Sequence, residues 1–272
     1  MGTMTKAKAA DAQAAQPLLR RADRGGIATL TLNRPGARNA LSVGLMSELQ
    51  AALDALAKDR KIKVVLIGAE GPAFCAGHDL KEIRANPGRA AYEALFAQCS
   101  RVMQSIVKLP QPVIAQVQGF AYAAGCQIVA TCDLAVAADT ATFCTPGVNI
   151  GLFCSTPMVA ASRNLPRKKM MEMLLLGDAI SAAEAKELGL VNRVVAPAKL
   201  EAETRALAET IAEKSPLVVK IGKEAFYRQL EMPLADAYAY ASRVMTENML
   251  ARDAEEGIDA FLEKREAKWE GR

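Results

Sequence analysis

The sequence contains very little histidine and no paired cysteines. Its 272 residues include one histidine, His78, so neither a histidine-rich metal site nor a facial triad can be built. The six cysteines form no Cys-x-x-Cys pair, which argues against structural zinc. Most of them stand in apolar segments, as reduced and buried thiols do. We therefore expect a cytoplasmic protein without a bound metal.

Long apolar runs, an excess of one charge and the common nucleotide and nucleophile motifs are also missing. No segment approaches the roughly 18 apolar residues that cross a membrane. The 34 basic and 30 acidic residues give a net charge of +4 and are mixed along the chain, which is not typical of nucleic-acid binding. No Gly-x-Ser-x-Gly elbow, P-loop or dinucleotide fingerprint occurs. These absences disfavour serine hydrolases, NTPases, nicotinamide dehydrogenases, nucleic-acid partners and membrane insertion.

What the sequence does contain is an alternation of strand and helix patterns followed by helices. The alanine-rich residues 1–16 lack the apolar core of a signal peptide, so we expect a flexible tail. Residues 17–196 form a predicted α/β core, and residues 197–272 a predicted helical oligomerisation region. From Met158 onwards the pattern is almost wholly helical. Strands are predicted at residues 27–32, 64–68, 113–117, 133–137 and 142–145.

Helices are predicted from apolar residues at helical spacing and from capping residues. Leu45, Leu49 and Leu53 share one face of a helix that follows Ser42, a good N-cap. A longer helix is predicted over residues 90–108, before two prolines. These helices alternate with the predicted strands, as in an α/β fold.

Two segments of small residues each join a predicted strand to a predicted helix, namely Phe74–Lys81 and Gly119–Gln127. Small residues let a ligand approach the backbone. Free N–H groups at a helix start, with the positive end of the helix dipole behind them, suit a developing oxyanion. Two such donors on one oxygen would polarise a thioester carbonyl. Either segment alone is more typical of packing or of a turn.

Further motifs accompany these segments in order along the chain. Those motifs are Asn33-Arg34-Pro35 and Asn39-Ala40-Leu41 upstream, and Glu256-Gly257 and Phe261-Leu262-Glu263-Lys264-Arg265 near the end. In this combination the sequence from about Leu18 to Trp269 resembles the crotonase superfamily, also called the enoyl-CoA hydratase/isomerase family.

The resemblance implies an α/β fold, a crotonase-like spiral of ββα units with a C-terminal helical trimerisation region. It implies assembly as a homotrimer or a dimer of trimers. The implied substrate is an acyl-CoA or enoyl-CoA thioester, with no separate cofactor because coenzyme A enters as part of the substrate. By position, the two oxyanion N–H groups would belong to His78 and Ala124.

The resemblance also implies contacts with the rest of the substrate. Arg34 and Arg38 lie where an early loop of the family approaches the nucleotide end. Phe261 and Lys264 lie where a neighbouring subunit closes over the adenine and phosphates, although an exposed helix lysine is often simply solvated. The positions implied to bind substrate are Arg34, Arg38, Ala76, His78, Asp79, Leu80, Lys81, Ala124, Gly147, Phe261 and Lys264.

The catalytic carboxylates of the family are missing at their expected positions. Hydratases hold and activate water with two glutamates, where this chain has Gln127 and Gly147. A third position, from which isomerases supply a carboxylate, holds Ser155. Glutamine can hold water but cannot take its proton, and general acid–base help is worth a factor of about 10²–10⁴. Within the family the sequence therefore resembles the enoyl-CoA hydratase domain-containing branch, which lacks both glutamates.

His78, Ala124 and Gln127 are the catalytic candidates. The imidazole of His78 could exchange protons in place of the glutamates, although a lone histidine is more often packed or solvated. Asp79 is interpreted as a carboxylate that fixes its loop by accepting backbone N–H bonds.

Two classes of function stay open at this stage. The first is an acyl-CoA enzyme that stabilises a thioester enolate. It would be a hydratase/isomerase-type lyase, and enoyl-CoA hydratase is the favoured class. Decarboxylation of a malonyl-type thioester and thioester cleavage are alternatives within it, because they need less base chemistry. The second is a catalytically silent acyl-CoA-binding protein that keeps the fold and the pocket.

Overall fold

The fold is built on two sheets whose strands come from alternating parts of the chain. The computed structural model describes residues 16–272, so the predicted tail at 1–16 lies outside the described residues except for its last position. The larger sheet contains, in spatial order, β1 (Leu19–Arg24), β2 (Ile27–Leu32), β3 (Val64–Ala69), β5 (Val113–Val117), β7 (Leu134–Ala138) and β10 (Arg193–Val195). The smaller sheet contains, in spatial order, β4 (Ala73–Cys75), β6 (Phe120–Tyr122), β8 (Thr142–Cys144) and β9 (Ile180–Ser181).

Helices follow most of the strands and make up the C-terminal part of the chain. Those that follow strands of the core are α1 (Val43–Leu56), α2 (Leu80–Ala85), α3 (Arg89–Lys108), α4 (Ala124–Thr131), α5 (Pro157–Ala161), α6 (Arg167–Leu176) and α7 (Ala182–Glu187). The C-terminal ones are α8 (Leu200–Ala212), α9 (Pro216–Gln229), α10 (Leu234–Met249) and α11 (Arg252–Glu263). Short 3₁₀ turns lie at Pro35–Ala37, Pro146–Ile150 and Pro197–Lys199.

Helices cover both faces of the larger sheet, and β3 shows how the sequence achieves this. Successive side chains of a strand point to opposite faces, and in β3 both sets are apolar and buried. Val65 and Ile67 join the main core with α1 and α3. Val64 and Leu66 pack instead with α8. β3 is thus buried on both sides, as central strands of parallel sheets are.

Several predicted elements are confirmed. β2 and β5 cover the predicted residues, and α1 starts after Ser42, whose Oγ accepts a hydrogen bond from Leu45 N at 3.1 Å. The expectation of an almost wholly helical chain after Met158 is wrong in two places. β9 pairs with β8, and β10 extends the larger sheet beside β7. Strands of two or three residues are too short to show the period of a strand, so the pattern did not predict them.

A buried ion pair attaches the C-terminal helices to the core. Lys223 Nζ of α9 lies 2.6 Å from Asp133 Oδ2. The same amine donates to the carbonyls of Ile106 and Gln111 at 3.1 and 3.0 Å. Tyr227 of α9 donates to Asp133 Oδ1 at 2.8 Å. None of the helices within residues 16–272 combines the length and the apolarity needed to cross a membrane.

Candidate active site

Two strand-to-helix connections lie side by side at one edge of the smaller sheet. β4 and β6 are parallel neighbours, with Cys75 paired to Ala121. β4 leads into α2 through residues 76–79, the β4–α2 loop, and β6 leads into α4 through Ala123, the β6–α4 loop. Because both strands run in the same direction, both loops leave the sheet at the same edge. The fold therefore brings the two small-residue segments together.

In the β4–α2 loop, the backbone N–H of His78 points away from Leu41, the residue to which the loop is hydrogen-bonded. Leu41 N donates to Gly77 O at 2.8 Å, and Asp79 N donates to Leu41 O at 3.1 Å. Successive residues of an extended chain point their backbone groups in opposite directions. Since the bonded groups of Gly77 and Asp79 face Leu41, the N–H of His78 faces the other side.

The β6–α4 loop ends in a strained residue that starts α4. Ala123 has φ 48° and ψ −116°, a region that alanine rarely occupies. Its own N–H donates to Cys144 O at 2.9 Å. Ala124 is the first residue of α4, so its N–H has no partner in the helix ladder and lies at the positive end of the helix dipole.

The two loops contact each other at glycines. A β-carbon on Gly77 would lie 2.9 Å from Ala123 Cβ and 3.5 Å from Ala124 N, and one on Gly125 would overlap the carbonyl oxygen of Cys75. Glycine at both positions is what permits this approach. Within residues 16–272, neither His78 N nor Ala124 N has a hydrogen-bond acceptor. Two free N–H donors thus belong to adjacent loops at the start of α4.

The imidazole of His78 is packed against α3. Its ring meets the ring of Phe96 edge-on, with the centroids 5.6 Å apart. In the part of the chain that the structure describes, neither ring nitrogen has a hydrogen-bond partner. Burial lowers the pKa of the imidazole, which favours the neutral form at neutral pH. A catalytic role for this side chain stays a prediction.

Gln127 lies one turn after Ala124 and is buried. Its Oε1 lies 3.9 Å from Cys99 Sγ. Burial raises the pKa of the Cys99 thiol to about 11, so the thiol keeps its proton and acts as the donor. The amide of Gln127 cannot take a proton from water at this position.

Gly147 follows β8 and has no room for a side chain. A β-carbon here would lie 2.8 Å from Leu152 O and 2.9 Å from Cys154 Sγ. Gly147 N donates to Cys154 Sγ at 3.3 Å, and Leu152 N donates to Gly147 O at 2.9 Å. Ser155 is exposed and donates to Phe153 O at 3.3 Å. Residues 147–154 therefore form a tight loop in which Leu152 and Cys154 pack against Gly147.

The cysteines near the loops are unreactive thiols. All six cysteines are buried and unpaired, as the sequence predicts. Burial raises the pKa of Cys75 and of Cys126 to about 12, and that of Cys144 to about 11. Thiols with such pKa values are poor nucleophiles at neutral pH. Among the described residues, no group of three or more His, Cys, Asp or Glu side chains is arranged to hold a metal ion.

Arg34 and Asp79, both predicted to bind substrate, contact each other. Arg34 Nη2 lies 3.0 Å from Asp79 Oδ2. Asp79 also caps α2, because its Oδ1 accepts from Lys81 N at 3.1 Å and from Glu82 N at 3.3 Å. Burial raises the pKa of Asp79, but the bonds from Arg34 and from the two backbone N–H groups outweigh it and lower the pKa. The carboxylate is ionised and fixes its loop.

The other predicted substrate-binding residues lie partly near the loops and partly far from them. Arg38, Leu80 and Lys81 are exposed and Ala76 is partly buried, and all four lie on or beside the β4–α2 loop. Phe261 and Lys264 lie at the end of α11, which packs against α9 and α10. Within residues 16–272, no hydrogen bond joins either of these residues to the two loops.

Sequence reasoning missed two residues that shape this site. Asn39 is completely buried, and its amide bonds three backbone groups. Ala123 carries the strained turn. The motif containing Asn39 was visible but indicated only the resemblance, and the unusual conformation of Ala123 has no signal in a run of small residues.

The architecture described above, two sheets in one α/β core followed by helices, is the crotonase fold. A sequence model of the family described as enoyl-CoA hydratase/isomerase matches residues 22–272. The chain belongs to the enoyl-CoA hydratase/isomerase family, as the order of its motifs predicted.

Curated relatives agree with this assignment. The human mitochondrial enoyl-CoA hydratase domain-containing protein 3 is 49% identical over 244 residues, which cover 90% of this chain and 80% of that protein. A probable enoyl-CoA hydratase of Rhizobium meliloti is 36% identical over 252 residues, covering 91% of this chain and 96% of that protein. The resemblance to the domain-containing branch is confirmed. The predicted cytoplasmic location is not, since the human relative is named as mitochondrial.

Solved structures show the same fold. An enoyl-CoA hydratase from Mycobacterium smegmatis has a TM-score of 0.92 and 53% identity, covering 93% of this chain and 99% of that one. The human enoyl-CoA hydratase domain-containing protein 3 has a TM-score of 0.90 and 47% identity, covering 93% of this chain and 100% of that one.

Proposed function

We propose that this chain is an acyl-CoA enzyme whose oxyanion hole consists of the backbone N–H groups of His78 and Ala124. The observation that supports this most directly is that both groups lack an acceptor among residues 16–272 and belong to loops in contact at Gly77. The carbonyl oxygen of a thioester gains negative charge as an enolate forms. Fixed N–H dipoles stabilise that charge, and removing one donor costs about 2.7–4 kcal/mol of transition-state stabilisation.

The remaining substrate contacts follow the family resemblance. The β4–α2 loop and the start of α2 would run along the thioester, and the exposed Arg38 would approach the nucleotide end. Arg34 is less suited to that task because Asp79 already engages its guanidinium. Coenzyme A enters as part of the substrate, and no other cofactor is proposed.

Membership of the hydratase/isomerase family supports an enoyl-CoA hydratase, but Gln127 and Gly147 favour a reaction that forms the enolate without a base. Gln127 cannot take a proton, and Gly147 is enclosed by Leu152 and Cys154. In decarboxylation of a malonyl-type thioester, the bond between the carboxylate and the α-carbon breaks and its electron pair forms the enolate. Carbon dioxide leaves, and the α-carbon then takes a proton from water. This reaction is the second candidate, beside thioester cleavage.

A homotrimer or a dimer of trimers is part of the proposal. Leu234 and Tyr238 of α10 are 76% and 70% exposed, and apolar side chains of this size are usually covered by a partner when they cluster. In such an assembly, Phe261 and Lys264 of one chain would close over the nucleotide of the substrate bound by its neighbour.

The test measures binding and turnover separately. Calorimetry with butyryl-CoA measures binding, loss of the enoyl absorbance of crotonyl-CoA measures hydration, and release of carbon dioxide from malonyl-CoA measures decarboxylation. Ala124→Pro removes one proposed donor and should lower turnover about 100-fold while binding is largely kept. Arg167→Pro, at the first position of α6 and after Pro166, is the matched control and should leave turnover unchanged.

Each outcome separates the candidates. Rapid hydration by the native chain supports the hydratase, and carbon dioxide release without hydration supports the decarboxylase. Release of free coenzyme A supports thioester cleavage, whereas binding without hydration, carbon dioxide release or release of coenzyme A supports the silent binding protein. A chain that binds no CoA thioester, or a folded Ala124→Pro variant with full turnover, would contradict the proposed oxyanion hole.

A further inference from the structure

Residues 34–41, the supporting segment, hydrogen-bond to the β4–α2 loop and contain two residues in an unfavourable backbone conformation. Arg38 and Asn39 follow each other with φ 52°, in the left-handed region. Two successive non-glycine residues there are costly, so other contacts must hold them. Nevertheless this segment provides the partners of the β4–α2 loop, since Arg38 O accepts from Ala76 N at 3.1 Å and Leu41 makes two further bonds. The direction of the loop therefore depends on what holds residues 34–41.

Asn39 holds one end of this arrangement. Its side chain is fully buried. Arg34 N donates to Asn39 Oδ1 at 2.8 Å. Asn39 Nδ2 donates to Glu70 O at 2.9 Å and to Ala73 O at 2.8 Å. Because Ala73 is the first residue of β4, a single amide joins the supporting segment to the strand that leads into the β4–α2 loop.

The side chain of Arg34 holds the other end. Its guanidinium donates to Ala40 O and to Asp79 Oδ2, the latter at 3.0 Å. Asp79 closes the β4–α2 loop and caps α2 through the N–H groups of the first turn. The supporting segment is thus tied to the β4–α2 loop before and after His78.

We propose that Arg34, Asn39 and Asp79 form a loop clamp that positions the N–H donor of His78, an inference that rests on the proposed oxyanion hole. Among the described residues, none of the three side chains hydrogen-bonds to His78 N, so the clamp leaves the donor free while it sets its direction. A donor acts on the oxyanion only within about 2.7–3.1 Å, so a displacement of about 0.5 Å weakens it. The clamp residues are positioning residues.

The test uses a spectroscopic signature of the hole together with kinetics. The carbonyl stretching frequency of bound [1-¹³C]butyryl-CoA falls when N–H donors polarise the carbonyl. Asn39→Asp keeps the shape of the side chain but places an oxygen against the carbonyls of Glu70 and Ala73. We expect the frequency to return towards that of free butyryl-CoA and turnover to fall about tenfold or more, with the dissociation constant changed less than about threefold.

Gln111→Glu is the matched control for Asn39→Asp. Gln111 is another buried amide, and its Nε2 donates to the carbonyls of Leu56, Asp59 and Ile62, away from the loops. The control should lower the melting temperature as Asn39→Asp does but leave the carbonyl frequency of bound butyryl-CoA unchanged. A shift of equal size in both variants would show a general structural effect and overturn the loop clamp.

Arg34→Lys decides the question if Asn39→Asp does not fold. Lysine keeps the charge but cannot bond Ala40 and Asp79 in the fork geometry of a guanidinium. Arg21→Lys, at an arginine that pairs with Asp23 on β1, is its control. A raised carbonyl frequency with unchanged binding supports the loop clamp, whereas weaker CoA binding with an unchanged frequency overturns it in favour of a direct nucleotide contact. A native chain that shows no frequency change would contradict the oxyanion hole itself.

Discussion

At the scale of single residues, the site depends on a backbone conformation that its side chain does not favour. Ala123 has φ 48° and ψ −116°, and strain of this kind costs about 1–3 kcal/mol. Ala123→Gly should raise the free energy of unfolding by about 1 kcal/mol, after the greater freedom of glycine in the unfolded chain is subtracted. Urea denaturation at a constant m-value measures the change. Ala121→Gly, in β6, is the control and should destabilise the chain; equal losses in both variants would contradict strain at Ala123.

A second prediction for a single residue concerns the pH dependence of stability. The pKa of Asp79 is lowered in the folded chain, because the bonds from Arg34 and α2 outweigh burial. Its contribution is therefore complete above the usual carboxyl pKa of about 3.9 and is lost as the pH falls through the lowered value. At pH values higher than about 5, the melting temperature of the native chain should exceed that of Asp79→Asn by a constant difference. This difference should shrink below about pH 4. A difference that persists to the lowest pH at which both variants fold would refute this linkage.

At the scale of elements, α4 approaches β4 only because its second residue is glycine. A β-carbon on Gly125 would overlap Cys75 O and lie 2.8 Å from Cys75 Cβ. Gly125→Ala should therefore push α4 away from β4, destabilise the chain by about 1–3 kcal/mol and separate the two N–H donors. Gly222→Ala in α9 is the control, because no atom of a residue in 16–272 outside the local helix backbone lies within 4 Å of the added β-carbon, and it should stabilise the chain by up to about 1 kcal/mol.

Thermal melting and crotonyl-CoA or malonyl-CoA turnover check this pair of variants. We expect Gly125→Ala to lose turnover beyond its loss of folded protein, because the donors must converge on one oxygen. A Gly125→Ala variant that melts like the native chain and keeps its turnover would show that α4 and β4 do not need this close approach.

The same elements show what the sequence could and could not predict. The small residues around His78 and Ala124 predicted two strand-to-helix connections, because glycine and alanine next to apolar strands are a local signal. β6 was missed because three residues are too few to show a period. The enclosure of Gly147 could not be predicted, since it depends on Leu152 and Cys154 returning to the glycine. A glutamate in place of Gly147 would therefore need a rearranged loop.

At the scale of the whole molecule, the order of motifs was more informative than any one of them. Motifs from Asn33 to Arg265 are distant in the sequence, and their shared order matched one family, which is why the crotonase fold was predicted correctly. The assembly has no such signal within one chain. In α10, Leu234, Tyr238, Ala241 and Met245 recur at helical spacing, and within residues 16–272 none of them is buried. If a neighbouring chain covers this face of α10, it also brings Phe261 and Lys264 to the proposed site.

The last prediction concerns that face. The native chain should sediment at three or six times its mass of 29.0 kDa. Leu234→Glu combined with Tyr238→Glu places charges on side chains that are 76% and 70% exposed in one chain, so it should leave the fold intact and dissociate the assembly. In the dissociated chain, Phe261 and Lys264 could no longer contact the nucleotide bound by a neighbouring chain. CoA binding should therefore weaken when the assembly dissociates. Thr210→Glu, on the exposed side of α8, is the control and should sediment as the native chain does, whereas a native chain that sediments at 29.0 kDa would contradict the shared site.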